Sequence, residues 1–240
     1  VLRSANAFKN EILGTVAHDL KNPLNVMMGR AEILGALIEM PSIPTDKAEA
    51  QLVEIRKAGR RLTGMIDSLI SSAIMDAGDM TIERAPVDIA RLACEVVEAN
   101  RPNAARKGQE IAVPAMEAGL VVTGDAERLR DAIDNLLSNA VKYSPPDALI
   151  EVDLARVGGF AVVTVLDRGP GLAPEDMARL FEKFQRLSAK PTGGEGSTGL
   201  GLSIVKRIVD LHGGAVGAEN RDGGGAVFRM TLPVATDGAR

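Results

Sequence analysis

The sequence is poor in aromatics: one Tyr, five Phe and no Trp make up 2% of its 240 residues. Its core must therefore come from Leu, Ile, Val, Ala and Met, and the scarcity argues against stacking of bases on aromatic platforms. There is one cysteine, Cys94, so no internal disulfide framework exists and a reducing compartment is expected. No excess of positive charge is present either. With 28 Lys+Arg against 32 Asp+Glu the net charge is −4, which argues against a general nucleic-acid binder. No apolar run approaches the ~18–20 residues that a membrane-spanning helix needs. No signal peptide shows, because the sequence turns polar at Arg3 and Ser4. The chain starts at Val1 rather than Met, which reads as a fragment of a longer protein.

Residues 1–77 read as two long helices. Phe8, Ile12, Val16, Leu20, Leu24, Met27, Ala31, Leu34 and Ile38 recur at steps of three or four, interrupted only by Pro23. Pro41 and Pro44 end that helix. Leu52, Ile55, Gly59, Leu62, Ile66, Leu69 and Ala73 then follow a heptad spacing. An isolated hairpin hides only part of such stripes, so pairing of two hairpins into a dimeric four-helix bundle is expected; a plain coiled-coil linker is the alternative. Beyond Gly78 comes a linker. Helices are then expected at Ile89–Asn100, Asp125–Tyr143 (capped by Asp125), Pro174–Phe184 and Leu200–His212. Strands are expected at Glu110–Pro114, Leu120–Thr123, Leu149–Arg156, Phe160–Asp167, Ala215–Glu219 and Ala226–Leu232. Lys190–Thr198 reads as a glycine-rich loop. The sum is an α+β domain with a mixed sheet and helices on one face.

Four places carry candidate chemistry. His18 lies two residues from both Val16 and Leu20, about 200° around the helix from each, so it should face outward. An exposed imidazole near neutral pH offers a nucleophilic nitrogen. Asp19 follows it, and Asn22 shares its face one turn on. Plain solvation would explain all three equally. Asn135 and Asn139 share a helix face that Lys142 and Tyr143 continue. Two amides and an ammonium suit a hydrated divalent cation and phosphate oxygens, although a solvated polar face fits too. Asp167-Arg168-Gly169-Pro170-Gly171 follows a strand, where a carboxylate can accept from an exocyclic amino group and glycines let backbone approach a flat ring. Gly193 to Leu202 is glycine-rich and runs into a helix N-terminus, an anion site in form. It is neither a P-loop nor a dinucleotide fingerprint.

In their order, these segments strongly resemble the sensor histidine kinases of two-component signalling. His18-Asp19-Leu20-Lys21-Asn22-Pro23 resembles the phospho-acceptor box. Asn135 to Ser144 resembles the N box, and Asp167 to Gly171 the first glycine box. Leu180-Phe181-Glu182-Lys183-Phe184 resembles the phenylalanine box, and Gly199-Leu200-Gly201-Leu202 the second glycine box. The likeness runs from about Phe8 to Pro233.

That resemblance implies a dimerisation and phosphotransfer hairpin over 1–80, a linker at 81–86, an ATP-binding domain of the GHKL type over 87–235 and a tail at 236–240. It implies ATP and Mg²⁺ as cofactors, a homodimer, and a response-regulator receiver domain as partner. His18 would be phosphorylated, Asp19 would help activate it, and Asn22 would align water for dephosphorylating the regulator. Asn139, with Asn135 beside it, would ligate the metal. Lys142 and Tyr143 would contact phosphate and ribose or base, and Asp167 the adenine amino group. Gly169 and Gly171 would shape the pocket. Arg186 would reach the γ-phosphate, and the amides from Gly199 to Leu202 would hold the phosphates. Hydrolytic relatives usually carry Glu where this chain has Asn135. A nucleotide-binding scaffold without autokinase activity, a GHKL ATPase and a protein-serine kinase are the competing readings. A cytoplasmic setting is expected, as the core of a longer sensor, membrane-anchored or not.

Overall fold

The computed structural model describes residues 2–40, 42–76, 82–185, 187–193 and 199–235. In its first two helices the described side chains are those of 17, 20–38, 45–66, 69 and 70. The chain divides into two compact units, Val1–Ala73 and Ile74–Arg240.

The first unit is a hairpin of α1 (Leu2–Ile38) and α2 (Thr45–Asp76). Helix α1 runs unbroken through Pro23. The helices are antiparallel: Gly59 faces the Met27 sulfur, and Arg30 Nη1 donates to Gln51 Oε1 at 3.2 Å. The expected apolar rows are only half covered. Leu20, Met27 and Leu34 are half-buried, whereas Leu24 (44% exposed) and Ile38 (56%) are open. On α2, Leu52 and Ile66 are exposed as well, and the buried positions are Ala58 and Met65, which the heptad row does not include. A heptad row is two positions wide, and one neighbouring helix covers only one side of it.

In the second unit, β1 (Ala85–Asp88) pairs antiparallel with β3 (Val121–Gly124) as a separate ribbon. The main sheet has the order β2-β4-β5-β7-β6, from β2 (Glu110–Ala112), β4 (Leu149–Val157), β5 (Phe160–Leu166), β7 (Ala226–Pro233) and β6 (Ala215–Asn220). β2 runs parallel to β4 and every other pairing is antiparallel. The sheet is thus mixed, as expected. Gly158 and Gly159 turn the β4–β5 hairpin, and Gly158 takes a left-handed φ of 59°.

Helices α3 (Ile89–Ala105), α4 (Ala126–Tyr143) and α6 (Gly201–Leu211) cover one sheet face. Strand alternation buries Ile150, Val152, Leu154, Ala161, Val163 and Val165 beneath them. Helix α4 contributes Leu129, Ile133, Leu136 and Leu137, all at 0% exposure. Asp125 caps it as expected, accepting from the amides of Glu127 (3.1 Å) and Arg128 (3.2 Å). The core is aliphatic: Phe228 is the one buried aromatic among the described residues.

Two expectations need correction. Ala85 and Pro86, placed in the linker, begin β1; with Val87 alone buried, this four-residue strand has no periodicity to read. The helix expected at Pro174–Phe184 is only α5 (Pro174–Met177), followed by turns. Phe184 takes a left-handed φ of 60°, incompatible with a helix. Asp176 folds the segment back by accepting from the Ser188 amide (2.9 Å) and hydroxyl (2.6 Å). Those bonds, the hydroxyl's first, hold its carboxyl below the usual range.

Candidate active site

Helix α4 organises the site. Its apolar row is locked against the sheet, so the other side carries Asn135, Asn139, Lys142 and Tyr143, all half-buried. Asn135 Nδ2 donates to Asp131 O at 2.8 Å, which turns Oδ1 away from its own helix. That oxygen meets the start of α6: a Cβ on Gly201 would lie 2.8 Å from it. Asn139 makes no side-chain hydrogen bond among the described residues. Lys142 Nζ lies 5.4 Å from the centre of the Tyr143 ring, a cation–π contact.

Asp167 leaves the end of β5 and is 4% exposed. Its Oδ1 accepts from the amides of Gly169 (2.7 Å) and Ala226 (3.0 Å). Its Oδ2 accepts no hydrogen bond among the described residues. Burial pushes its carboxyl above the usual 3.8, and the two amide bonds and the Arg221 charge only partly offset this. Arg221 itself pairs with Glu151 at 2.6 Å, both side chains largely covered.

Candidate segments far apart in sequence converge here. Gly169 packs against the Tyr143 carbonyl, and the Arg168 amide donates to Ser144 Oγ at 3.2 Å. Gly199, at φ 69°, lies against the backbone of Phe184 and Gln185, where a side chain would collide. Leu200 is fully buried, and α6 begins there without a side-chain cap hydrogen bond among the described residues, a helix N-terminus of the kind that takes anions. Half-buried Leu202 is in the first turn of α6. Gly169 and Gly171 are crowded by protein: a Cβ would meet Asp167 Oδ1 at the first and Asn220 Oδ1 at the second. Room for a flat ring is therefore not what these two positions show.

His18, Asp19 and Asn22 lie on α1, in the other unit. Asn22 is exposed. The side chains of His18 and Asp19, with the outward aim expected of His18, lie outside the described residues, as do Arg186 and the loop residues 194–198. Neutral amide oxygens at Asn135 and Asn139, uncommitted to donors among the described residues, fit a cation that keeps much of its water.

Sequence reasoning missed the groups that hold this site from behind. The last carbonyls of α4 lack helical partners. Lys107 Nζ reaches those of Val141 (3.0 Å) and Lys142 (3.2 Å). Buried Gln109 Nε2 reaches those of Val141, Ser144 and Pro145 at 2.9–3.1 Å. The Thr192 hydroxyl is 2.7 Å from Ser144 O and accepts from Lys107 at 2.9 Å. These contacts span 32 to 85 residues, and no local pattern signals them.

Residues 124–236 match the family described as Histidine kinase-, DNA gyrase B-, and HSP90-like ATPase. Residues 8–78 match the His Kinase A (phospho-acceptor) domain. Together they define a class: phospho-acceptor helices joined to an ATPase-type sandwich. Among curated relatives, the circadian input-output histidine kinase CikA of Synechococcus elongatus is 31% identical over 98% of this chain and 31% of its own length. The mycobacterial sensor histidine kinase MprB is similar in structure, with a TM-score of 0.56 and 32% identity over 63% of this chain and 98% of that one. Full-length ShkA, solved with AMPPNP, gives a TM-score of 0.67 and 31% identity over 95% of this chain and 47% of that one. The chain belongs to the sensor histidine kinases of two-component signalling. It spans about a third to a half of the length of the curated relatives it matches. No described helix is long and apolar enough to cross a membrane.

Proposed function

We propose that the protein is an ATP-dependent histidine autokinase that passes its phosphoryl group to an aspartate of a response regulator. The observation that carries this reading is the convergence of Asn135, Asn139, Lys142, Asp167 and Gly201 around α4, in a chain whose other unit carries His18. A nitrogen of neutral His18 attacks the γ-phosphorus. The N–P bond forms, the bond to the bridging oxygen breaks, and ADP leaves. Asp19 orients the imidazole and accepts the proton that the ring gives up as the N–P bond forms. Mg²⁺ held through Asn139 and Asn135 would neutralise charge on the phosphates. Lys142, Arg186 and the amides from Gly199 to Leu202 add to that field, Tyr143 lies against the sugar or base, and Asp167 Oδ2 accepts from the adenine amino group. AMPPNP in the ShkA structure supports an adenine nucleotide here.

Functionally, 1–80 is assigned to phosphotransfer and dimerisation, 81–84 to the connection and 85–235, from the start of β1, to ATP binding. The connection must bend, because nucleophile and nucleotide belong to different units. Apolar side chains left open on a single hairpin, Leu24 and Ile38 among them, support a second copy of this chain as their cover, closing a four-helix bundle. Response-regulator chemistry fits a cytoplasmic setting. Asn22, exposed one turn beyond His18, is assigned the water-aligning role in regulator dephosphorylation.

Purified chain with Mg²⁺ and γ-labelled ATP is expected to give an acid-labile, base-stable phosphoprotein, with no label in His18→Gln. Label that persists in the variant overturns the role of His18. Turnover of ATP without retained phosphate, unaffected by His18→Gln, would indicate a GHKL ATPase instead. Asn135 argues against that outcome, since no carboxylate stands where the hydrolytic relatives place their Glu.

A further inference from the structure

The turn after Asp167 is gripped at both ends, and one grip is a single side chain outside every motif named above. Asn220 ends β6. Its Oδ1 accepts from the Leu172 amide at 2.6 Å, and its Nδ2 donates to the Leu172 carbonyl at 2.9 Å. One amide thereby satisfies both backbone groups of one residue, as a neighbouring strand would. Gly171, beside it, adopts φ 78°, and a Cβ there would lie 2.8 Å from Asn220 Oδ1. The glycine makes room for the asparagine.

At the other end, the sheet holds Asp167. Its amide donates to Ala226 O at 2.9 Å, its Oδ1 accepts from Gly169 and Ala226, and its carbonyl lies against Gly225. Between these grips lies Arg168-Gly169-Pro170-Gly171, whose two glycines leave the backbone permissive unless both ends are fixed.

We propose that Asn220 is a positioning residue for base recognition: it fixes the turn 167–172 so that Oδ2 of Asp167 stays aimed at the exocyclic amino group of the base. This rests on Asp167 as the base acceptor. Asn is suited to the position because its amide carries a donor and an acceptor side by side. Asp keeps only the acceptor, and Leu keeps neither at similar shape.

The test compares ATP with purine riboside triphosphate, which lacks the amino group, by calorimetric titration of the full chain with Mg²⁺. The wild type is expected to prefer ATP. Asn220→Leu is expected to cut that preference about tenfold, the scale of one or two lost hydrogen bonds, while binding of the other nucleotide holds. Asn220→Asp is expected to fall between, and serves if the Leu variant does not fold. Wild-type preference in both variants overturns the proposal, and so does equal weakening of both nucleotides, which is the mark of a purely structural role. Asp167→Asn separates the two readings. If it keeps the preference, the base-acceptor assignment fails and the proposal with it. If it loses the preference while the Asn220 variants keep it, only the proposal fails. In a double-mutant cycle, Gly171→Ala is expected to cost less beside Asn220→Ala than alone, because the colliding amide is gone. Additivity overturns the claimed packing.

Discussion

At the residue scale, the Asp167 carboxylate has a structural half and the half to which base recognition is proposed. Oδ1 ties β5 to β7, while Oδ2 is uncommitted among the described residues. Burial raises its folded pKa above 3.8, so the folded chain binds the proton more tightly than the unfolded one. The stability linked to this group is therefore fully present below the unfolded value and is lost as pH rises through the raised one. At neutral pH the ionised carboxylate is a standing cost. Asp167→Asn keeps the Oδ1 acceptor and removes the charge. The apo protein should then melt higher, and ATP binding should weaken at least tenfold; scanning calorimetry and a nucleotide titration check the two halves. In the wild type, ATP affinity should begin to fall on acidification at a higher pH than an ordinary Asp would dictate, and Asp167→Asn should lack that step. Gly201 offers a sharper local test. Alanine there pushes on Asn135 Oδ1, so Mg²⁺-dependent nucleotide binding should drop several-fold while the melting temperature holds.

At the element scale, α4 shows what a sequence discloses and what it hides. Its cap, its length and its Leu129-Ile133-Leu136-Leu137 row were legible because each is a local or periodic property. β4, β5, β7 and α6 were legible for the same reason. β1 was not, since one buried side chain in four residues carries no period. α5 stopped early because Asp176 and Ser188 turn the chain back, a contact across 12 residues. The box residues of the site were readable in order. Their support was not: Lys107, Gln109, Thr192 and Asn220 act through partners as far as 85 residues away. The rim of α4 should nonetheless depend on that support. Gln109→Leu strands buried carbonyls at the helix end and should cost about 1–3 kcal/mol of stability by urea denaturation. Lys107→Met should cost less, because Gln109 still reaches Val141 O and the Thr192 amide and hydroxyl still reach Lys142 O. An unchanged midpoint in Gln109→Leu would mean that solvent serves those carbonyls equally well.

At the scale of the whole molecule, the two units bury apolar surface in different ways. The α+β unit closes its core within one chain, with Leu129, Ile133, Leu136, Val152, Val163 and Leu232 at 0% exposure. The hairpin leaves Leu24, Ile38, Leu52 and Ile66 each more than two-fifths exposed. One unit is thus stabilised within the chain, and under the proposed dimer the other draws further stability from association, so their stabilities should answer to different variables. Calorimetry of the intact chain should show two transitions. The hairpin transition should climb with protein concentration and ignore nucleotide. The second should be independent of concentration and rise with Mg²⁺ and ADP, by about 2.7 kcal/mol of added stability at a hundredfold excess over Kd. Leu24→Glu combined with Ile38→Glu should abolish the concentration dependence and give a monomer by sedimentation. ADP binding should survive unchanged, because Asn135, Asn139, Asp167 and Gly201, to which nucleotide binding is assigned, all lie in the other unit. Autophosphorylation would then decide how far the first unit's assembly governs the second unit's chemistry. If His18 must be presented on a paired bundle, the monomer binds nucleotide normally and accumulates no phosphohistidine. Full labelling of that monomer would show that a lone hairpin is a sufficient substrate.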